Sequence, residues 1–121
     1  MIEKKIELTF TLADFSELAP ADIQLIENAK NAFKTAYAPY SEFLVGASVL
    51  LENGTVVNGS NQENGAYPSG LCAERVALFY ASAQFPNIKI KAIAVSVSSK
   101  HLEIKELVCP CGACRQVMAE Y

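Results

Sequence analysis

Two short cysteine-containing segments constrain the fold of this 121-residue chain more than any other feature. The first is Cys72-Ala73-Glu74, and the second is the PCGAC sequence at 110–114. Three thiolates can hold a zinc ion and leave its fourth position open, as in catalytic rather than structural zinc sites. A carboxylate two residues from the first ligand can then move protons at that open position. The two segments therefore indicate a zinc enzyme whose fold brings them together.

Helix geometry restricts how these residues can meet. Cys111 and Cys114 are three apart, so on a helix both sulfurs can point at one ion. Cys72 and Glu74 would lie roughly 200° apart on a regular helix, so both can serve one site only if Cys72 stands at the very start of its helix. Pro110 would open the other helix and place Cys111 in its first turn, where the helix dipole stabilises a thiolate. We predict two helix N-termini that face one ion.

Four further residues could complete or close this site. Three thiolates need a compensating positive charge, and Arg75 is the favoured donor to a cysteine sulfur. For Arg115, an exposed helix side chain is an equally good interpretation. Cys109 could be a fourth ligand that makes the site structural, but a lone thiol is more often a small buried residue. His101 is most simply a surface histidine.

Composition excludes several other functions. The apolar fraction of 51% and the length indicate one globular domain, residues 1–121. A net charge of −3 gives no basic footprint for nucleic acid. Neither a signal peptide nor a membrane span is visible, so we expect a cytoplasmic protein without a membrane partner. Thiols stay reduced in that compartment, which favours metal ligands over disulfides.

Hydrophobic patterning predicts the order strand, helix, hairpin, helix, strand, helix. Alternating apolar residues within 1–15 predict an additional half-buried N-terminal strand. The strand at 88–97 is apolar on both faces, which is typical of a central strand. This order predicts an α/β fold, a three-layer α/β/α sandwich around a mixed sheet. The remaining elements are a helix at 20–37, a hairpin around Asn53-Gly54 whose first strand is 43–51, and helices at 72–84 and from 110.

The loop at 58–69 is polar and contains the sequence NQEN at 61–64. So many amides and a carboxylate beside a strand end suggest a binding edge. Loops of this composition are usually only solvated, and the loop alone does not decide between the two interpretations.

Several segments together resemble one enzyme family. The sequences CAER and PCGACRQV, with YAPYSEFLVGA at 37–47, NQEN at 61–64 and AYPSGLCAER at 66–75, are similar to the small, homotetrameric, zinc-dependent cytidine deaminases. The similarity covers residues 20–121. It implies one Zn²⁺ per subunit and hydrolytic deamination of cytidine and deoxycytidine to uridine and deoxyuridine in pyrimidine salvage. It also implies a cytidine deaminase-like sandwich that assembles into a homotetramer.

The resemblance assigns a role to each matching position. Cys72, Cys111 and Cys114 would hold zinc, and Glu74 would carry a proton from water to ring nitrogen N3 and later help ammonia leave. The implied substrate contacts are Phe43 against the base, Asn61 and Glu63 on ribose hydroxyls, Ala73 beside the first zinc ligand, and Ala66 and Tyr67 near a neighbouring subunit's site.

The end of the chain and the exact substrate leave two further expectations. Family members continue past the last helix with more strands, so we expect this chain to be truncated after its second zinc-ligand helix, with C-terminal strands missing. One alternative function is a related deaminase for another aminated nucleoside or nucleotide. The other is a non-catalytic zinc-stabilised module, which would need Cys109 or His101 as a fourth ligand.

Overall fold

The computed structural model describes all residues, 1–121, and contains three helices and three strands. None of the helices is long and apolar enough to cross a bilayer. The predicted order is confirmed from residue 20 onward, although the first helix ends at Ala32 and continues only as a 3-10 turn at Phe33–Thr35. The elements are α1 (Pro20–Ala32), β1 (Phe43–Leu51), β2 (Val56–Ser60), α2 (Ala73–Gln84), β3 (Ile90–Ser99) and α3 (Gly112–Glu120).

The sheet has the order β2-β1-β3 and is antiparallel throughout. The predicted mixed sheet is therefore wrong for this chain, because both neighbours of β1 run against it. The prediction that the strand at 88–97 is central is also wrong, since β1 occupies the centre and β3 an edge. The hairpin is confirmed: Gly54 has φ of 85°, which the turn requires and glycine adopts without strain.

Two glycines show that helices cover both faces of the sheet. A Cβ at Gly46 would lie 2.0 Å from a carbonyl oxygen of α1, and one at Gly59 would lie 2.6 Å from a backbone nitrogen of α2. Gly46 pairs with Ser60, and Gly59 pairs with Ala47. Directly paired residues of an antiparallel ladder share a face, so adjacent pairs lie on opposite faces. The predicted α/β class and its three layers are confirmed.

The main core lies between the sheet and α2. Val117 and Met118 of α3 pack against this same core, so α3 lies on the α2 side of the sheet. The two helices that carry the cysteines therefore share one face. The core residues are Ala47, Val49, Leu51, Val57, Ala73, Ala77, Leu78 and Ala81.

Gly46→Ala is expected to lower the free energy of unfolding by about 1–3 kcal/mol, the usual cost of overpacking. The added methyl group would meet backbone atoms of α1, which cannot turn away as a side chain can. Urea unfolding measures the change. Gly112→Ala is the control for stability, because nothing lies within 4 Å of its Cβ position. Equal stabilities of the two variants would contradict the close packing of α1 on the sheet.

The predicted N-terminal strand within residues 1–15 is wrong. Residues 1–14 form neither helix nor strand and pair with no ladder. The alternating residues Ile6, Leu8, Phe10 and Leu12 are 71–85% exposed. A period-two pattern yields a strand only where a neighbouring strand pairs with it, and no partner is present here.

Candidate zinc and substrate site

The cysteines stand at the beginnings of two helices. Cys72 is the N-cap of α2, with extended φ and ψ of −67° and 153°, which confirms that it lies at the helix start. Cys111 is the N-cap of α3, one position before the predicted first turn, and its Sγ accepts a hydrogen bond of 3.4 Å from the Cys114 amide. The two predicted helix N-termini therefore meet.

The spacing of the sulfurs suits a zinc ion. The Sγ atoms of Cys72, Cys111 and Cys114 all lie within 4.8 Å of one another. The distance from Cys72 Sγ to Cys111 Sγ is 3.8 Å. Tetrahedral zinc with Zn–S bonds of about 2.3 Å requires sulfurs about 3.8 Å apart. Donor type and spacing both fit one zinc ion per chain.

The two sulfurs of α3 have different environments. The Cys114 backbone amide lowers the pKa of the Cys111 thiol, because its N–H stabilises the thiolate. Burial raises the pKa of Cys114 to about 12, since its side chain is fully enclosed. The Cys114 thiol is therefore harder to deprotonate than the Cys111 thiol, and zinc binding requires its thiolate form.

Arg75, and not Arg115, reaches the sulfurs. Arg75 Nη2 donates to Cys72 Sγ over 3.6 Å, and this bond is the main reason that the pKa of Arg75 is raised. The Arg115 side chain is exposed and makes no hydrogen bond. The guanidinium of Arg75 thus supplies part of the positive charge that three thiolates need.

Arg75→Ala is expected to weaken zinc binding by about 10–100-fold, the usual cost of losing a partner of a metal ligand. Zinc transfer to a competing chelator measures the affinity. Arg115→Ala is the matched control and should bind zinc as the unaltered protein does. Equal affinities of the two variants would show that Arg75 does not support the sulfurs.

Glu74 lies beside the sulfurs in the first turn of α2. Its side chain is only 5% exposed and accepts no hydrogen bond from the chain, yet it lines the adjacent cavity. It shares the cavity wall with Cys72 and Cys111, and its negative charge is one cause of the raised pKa of Cys114. A buried carboxylate at the bottom of a cavity is suited to proton transfer.

The cavity above this group has a volume of about 720 Å³, within the range of small-molecule sites. Phe43, Asn61 and Glu63 line it, as the resemblance implies. Tyr67, which the resemblance places near a neighbouring subunit's site, also lines the cavity of its own chain, whereas Ala66 is exposed outside the wall. The Ala73 side chain is fully buried in the core between α2 and the sheet and does not line the cavity.

Sequence reasoning missed several wall residues. Ser41 is the most informative of them, because its hydroxyl contacts Glu63. The signal was present, since this serine lies inside the YAPYSEFLVGA segment that carries part of the resemblance. The other missed wall residues are Tyr40, Val45, Gly70, Leu71, Val95, Val108 and Cys109, whereas the wall residues Gln62 and Asn64 belong to the NQEN segment that the sequence offered as a binding edge.

Neither candidate fourth ligand joins the sulfur cluster. Cys109 is exposed and lines the cavity, so the expectation of a buried thiol is wrong, but its sulfur lies outside the group of three. His101 is exposed and pairs with Glu42, as expected of a surface histidine. A closed four-ligand site is therefore not formed.

Comparisons with known proteins agree with this geometry. The family model for the cytidine and deoxycytidylate deaminase zinc-binding region matches residues 20–121. The chain belongs to this family. The similarity to cytidine deaminases is therefore confirmed, and with it the enzyme class, a hydrolase that acts on a C–N bond.

Individual deaminases resemble this chain along most of its length. The cytidine deaminase of Sporosarcina psychrophila is 46% identical over 98 residues, which are 81% of this chain and 68% of that protein. The cytidine deaminase of Halalkalibacterium halodurans is 48% identical over 96 residues, which are 79% of this chain and 68% of that protein. The crystal structure of the Burkholderia pseudomallei cytidine deaminase has 48% identity and a TM-score of 0.71, covering 79% of this chain and 72% of that one.

Proposed function

We propose that this deaminase hydrolyses cytidine and deoxycytidine to uridine and deoxyuridine, consuming one water and releasing one ammonia. The observation that carries the proposal is that three sulfurs converge at a nucleoside-sized cavity whose wall includes Glu74, Cys72 and Cys111. Cys72, Cys111 and Cys114 would hold the zinc ion. Pyrimidine salvage is the metabolic role that the family resemblance implies.

Glu74 performs the proton transfers in this proposal. When bound, zinc makes water a nucleophile at neutral pH. Glu74 would accept a proton from the attacking water and deliver it to ring nitrogen N3, while the water oxygen adds to C4. The carboxylate would then take the proton of the new C4 hydroxyl and pass it to the amino group, so that the C4–N4 bond breaks, a C4 carbonyl forms and ammonia leaves. The near-complete burial of Glu74 limits its contact with bulk water during these transfers.

Three wall residues would orient the nucleoside. Phe43 opens β1 and offers a ring against the base. Asn61 is fixed by the start of β1: its Nδ2 donates to the Phe43 oxygen over 2.9 Å, and its Oδ1 accepts from the Val45 amide over 2.8 Å. One amide N–H of Asn61 is left for a sugar hydroxyl. The Glu63 carboxylate accepts from the other sugar hydroxyls.

A nucleoside suits the cavity better than a nucleotide does. Arg75 is the only cationic residue in the wall, and its guanidinium is directed at Cys72. No lysine or second arginine is available to neutralise a phosphate, and the wall carries the Glu63 carboxylate instead. The site therefore favours a neutral sugar.

Incubation of the zinc-loaded protein with cytidine, deoxycytidine and deoxycytidylate tests this function. Chromatography quantifies the deaminated products. We expect both nucleosides to be converted, and deoxycytidylate to react far more slowly for want of a cationic phosphate site. A fully zinc-loaded protein that converts neither nucleoside would overturn the proposed function.

Location and assembly complete the proposal. The four free cysteines support a cytoplasmic location. The family resemblance supports a homotetramer. Tyr67 lines the cavity but is 82% exposed, and Ala66 beside it is also exposed, as expected of residues that contact a neighbouring subunit. Light scattering during gel filtration measures the mass, and a stable monomer would contradict a tetramer.

A further inference from the structure

Ser41 connects two parts of the proposed nucleoside site. Its Oγ donates a hydrogen bond to Glu63 Oε1 and accepts one of 3.1 Å from the Phe43 amide. The amides of Tyr40 and Ser41 donate to Glu63 Oε2 over 2.9 and 3.3 Å. The 40–43 turn thus holds both oxygens of the Glu63 carboxylate.

We propose that Ser41 is a positioning residue that orients Glu63 for recognition of the sugar hydroxyls. This inference rests on the proposed function, because it requires the substrate to be a nucleoside. Ser41 is suited to the role because the Phe43 N–H occupies a lone pair of its Oγ and thereby aims its hydroxyl hydrogen at Glu63.

The Glu63 side chain is half-buried in the cavity wall. Its carboxylate pairs with no cation, and three donors of the 40–41 segment hold it. The Ser41 hydroxyl is the main reason that the pKa of Glu63 is lowered below its ordinary value. The carboxylate is therefore both ionised and fixed in direction before a substrate arrives, which reduces the entropy lost on binding.

Removal of the Ser41 hydroxyl should affect sugar recognition only, because other contacts also hold the backbone of Phe43. Asn61 holds its carbonyl oxygen, and its backbone pairs with Ser99 of β3. Removal of the Ser41 hydroxyl leaves these contacts in place. A loss of affinity that occurs only with substrates that carry the sugar hydroxyls would therefore indicate that Ser41 acts through Glu63.

Steady-state kinetics of Ser41→Ala, Ser41→Thr and Ser16→Ala test the proposal. For cytidine, we expect Ser41→Ala to raise KM about tenfold with little change in kcat, as for loss of one hydrogen bond to a charged group. Ser41→Thr keeps the hydroxyl and should restore most of the affinity. Ser16→Ala alters an exposed serine outside the cavity and should have no effect.

Two comparisons separate positioning from direct contact with substrate. With 2′,3′-dideoxycytidine, which lacks the 2′- and 3′-hydroxyls, Ser41→Ala should leave KM nearly unchanged. In a Glu63→Ala background, Ser41→Ala should likewise have little further effect on cytidine, since residues that act through one another are not additive. A full tenfold loss in either comparison would overturn the proposal.

Carbon-detected NMR titration of the Glu63 carboxyl provides a readout that does not depend on catalysis. The pKa of Glu63 should rise in Ser41→Ala and stay low in Ser41→Thr. An unchanged pKa in the alanine variant would overturn the link between Ser41 and Glu63, whatever the activity. Absence of cytidine turnover by the unaltered zinc-loaded protein would instead overturn the proposed function, and with it the role of Ser41 in sugar recognition.

Discussion

Glu74→Gln is expected to lower kcat for cytidine by about 10²–10⁴-fold, the usual contribution of a proton-transferring side chain. Glutamine has the size of glutamate but neither accepts nor returns a proton at neutral pH. Glu74 is almost fully buried and is the only carboxylate beside the three sulfurs, so no other group can take over its role. The zinc content and the unfolding temperature should stay near those of the unaltered protein.

The control for this variant is Glu52→Gln. Glu52 lies in the β1–β2 turn, outside the cavity, and its side chain makes no hydrogen bond. Product formation is followed at saturating cytidine, with zinc measured by mass spectrometry in the same samples. If the Glu74 variant retained near-normal turnover with full zinc, Glu74 would not be the proton carrier.

Cys111→Ser is expected to abolish stoichiometric zinc binding and activity, whereas Cys109→Ser should retain both. Both cysteines are exposed and flank Pro110, so the pair is closely matched in sequence and surroundings. Only Cys111 has its sulfur in the cluster, 3.8 Å from Cys72 Sγ. Serine is a much weaker zinc ligand than a thiolate, and two remaining cysteines do not hold the ion firmly.

Zinc content per chain after dialysis distinguishes the two variants. We expect close to one zinc per chain for Cys109→Ser and almost none for Cys111→Ser. Zinc loss from the Cys109 variant would favour the structural-module alternative, in which that thiol is a ligand.

Local chemistry explains which parts of the fold could be predicted from sequence. The helix start at Cys72 followed from the requirement that residues two apart serve one site. The hairpin followed from Asn53-Gly54, because only a glycine-like backbone makes that turn easily. The pairing of Cys111 with Cys114 followed from their spacing of three residues. Each of these inferences depends on residues close in sequence.

The failures concern pairing across the chain. Period-two patterns predicted a strand within 1–15, but a pattern does not contain the partner that would pair with it. Apolar residues on both faces of β3 suggested a central strand, yet helices on both sides of the sheet cover an edge strand equally well. The link from Ser41 to Glu63 spans 22 residues and could be found only in the structure.

X-ray absorption spectroscopy at the zinc edge tests the central claim most directly. The zinc-loaded protein should show three sulfur ligands at about 2.3 Å and one oxygen ligand at about 2.0–2.2 Å, as in an open site with a water in the fourth position. A shell of four sulfurs would contradict the claim, because it would mean that Cys109 closes the site and leaves no position for the reacting water.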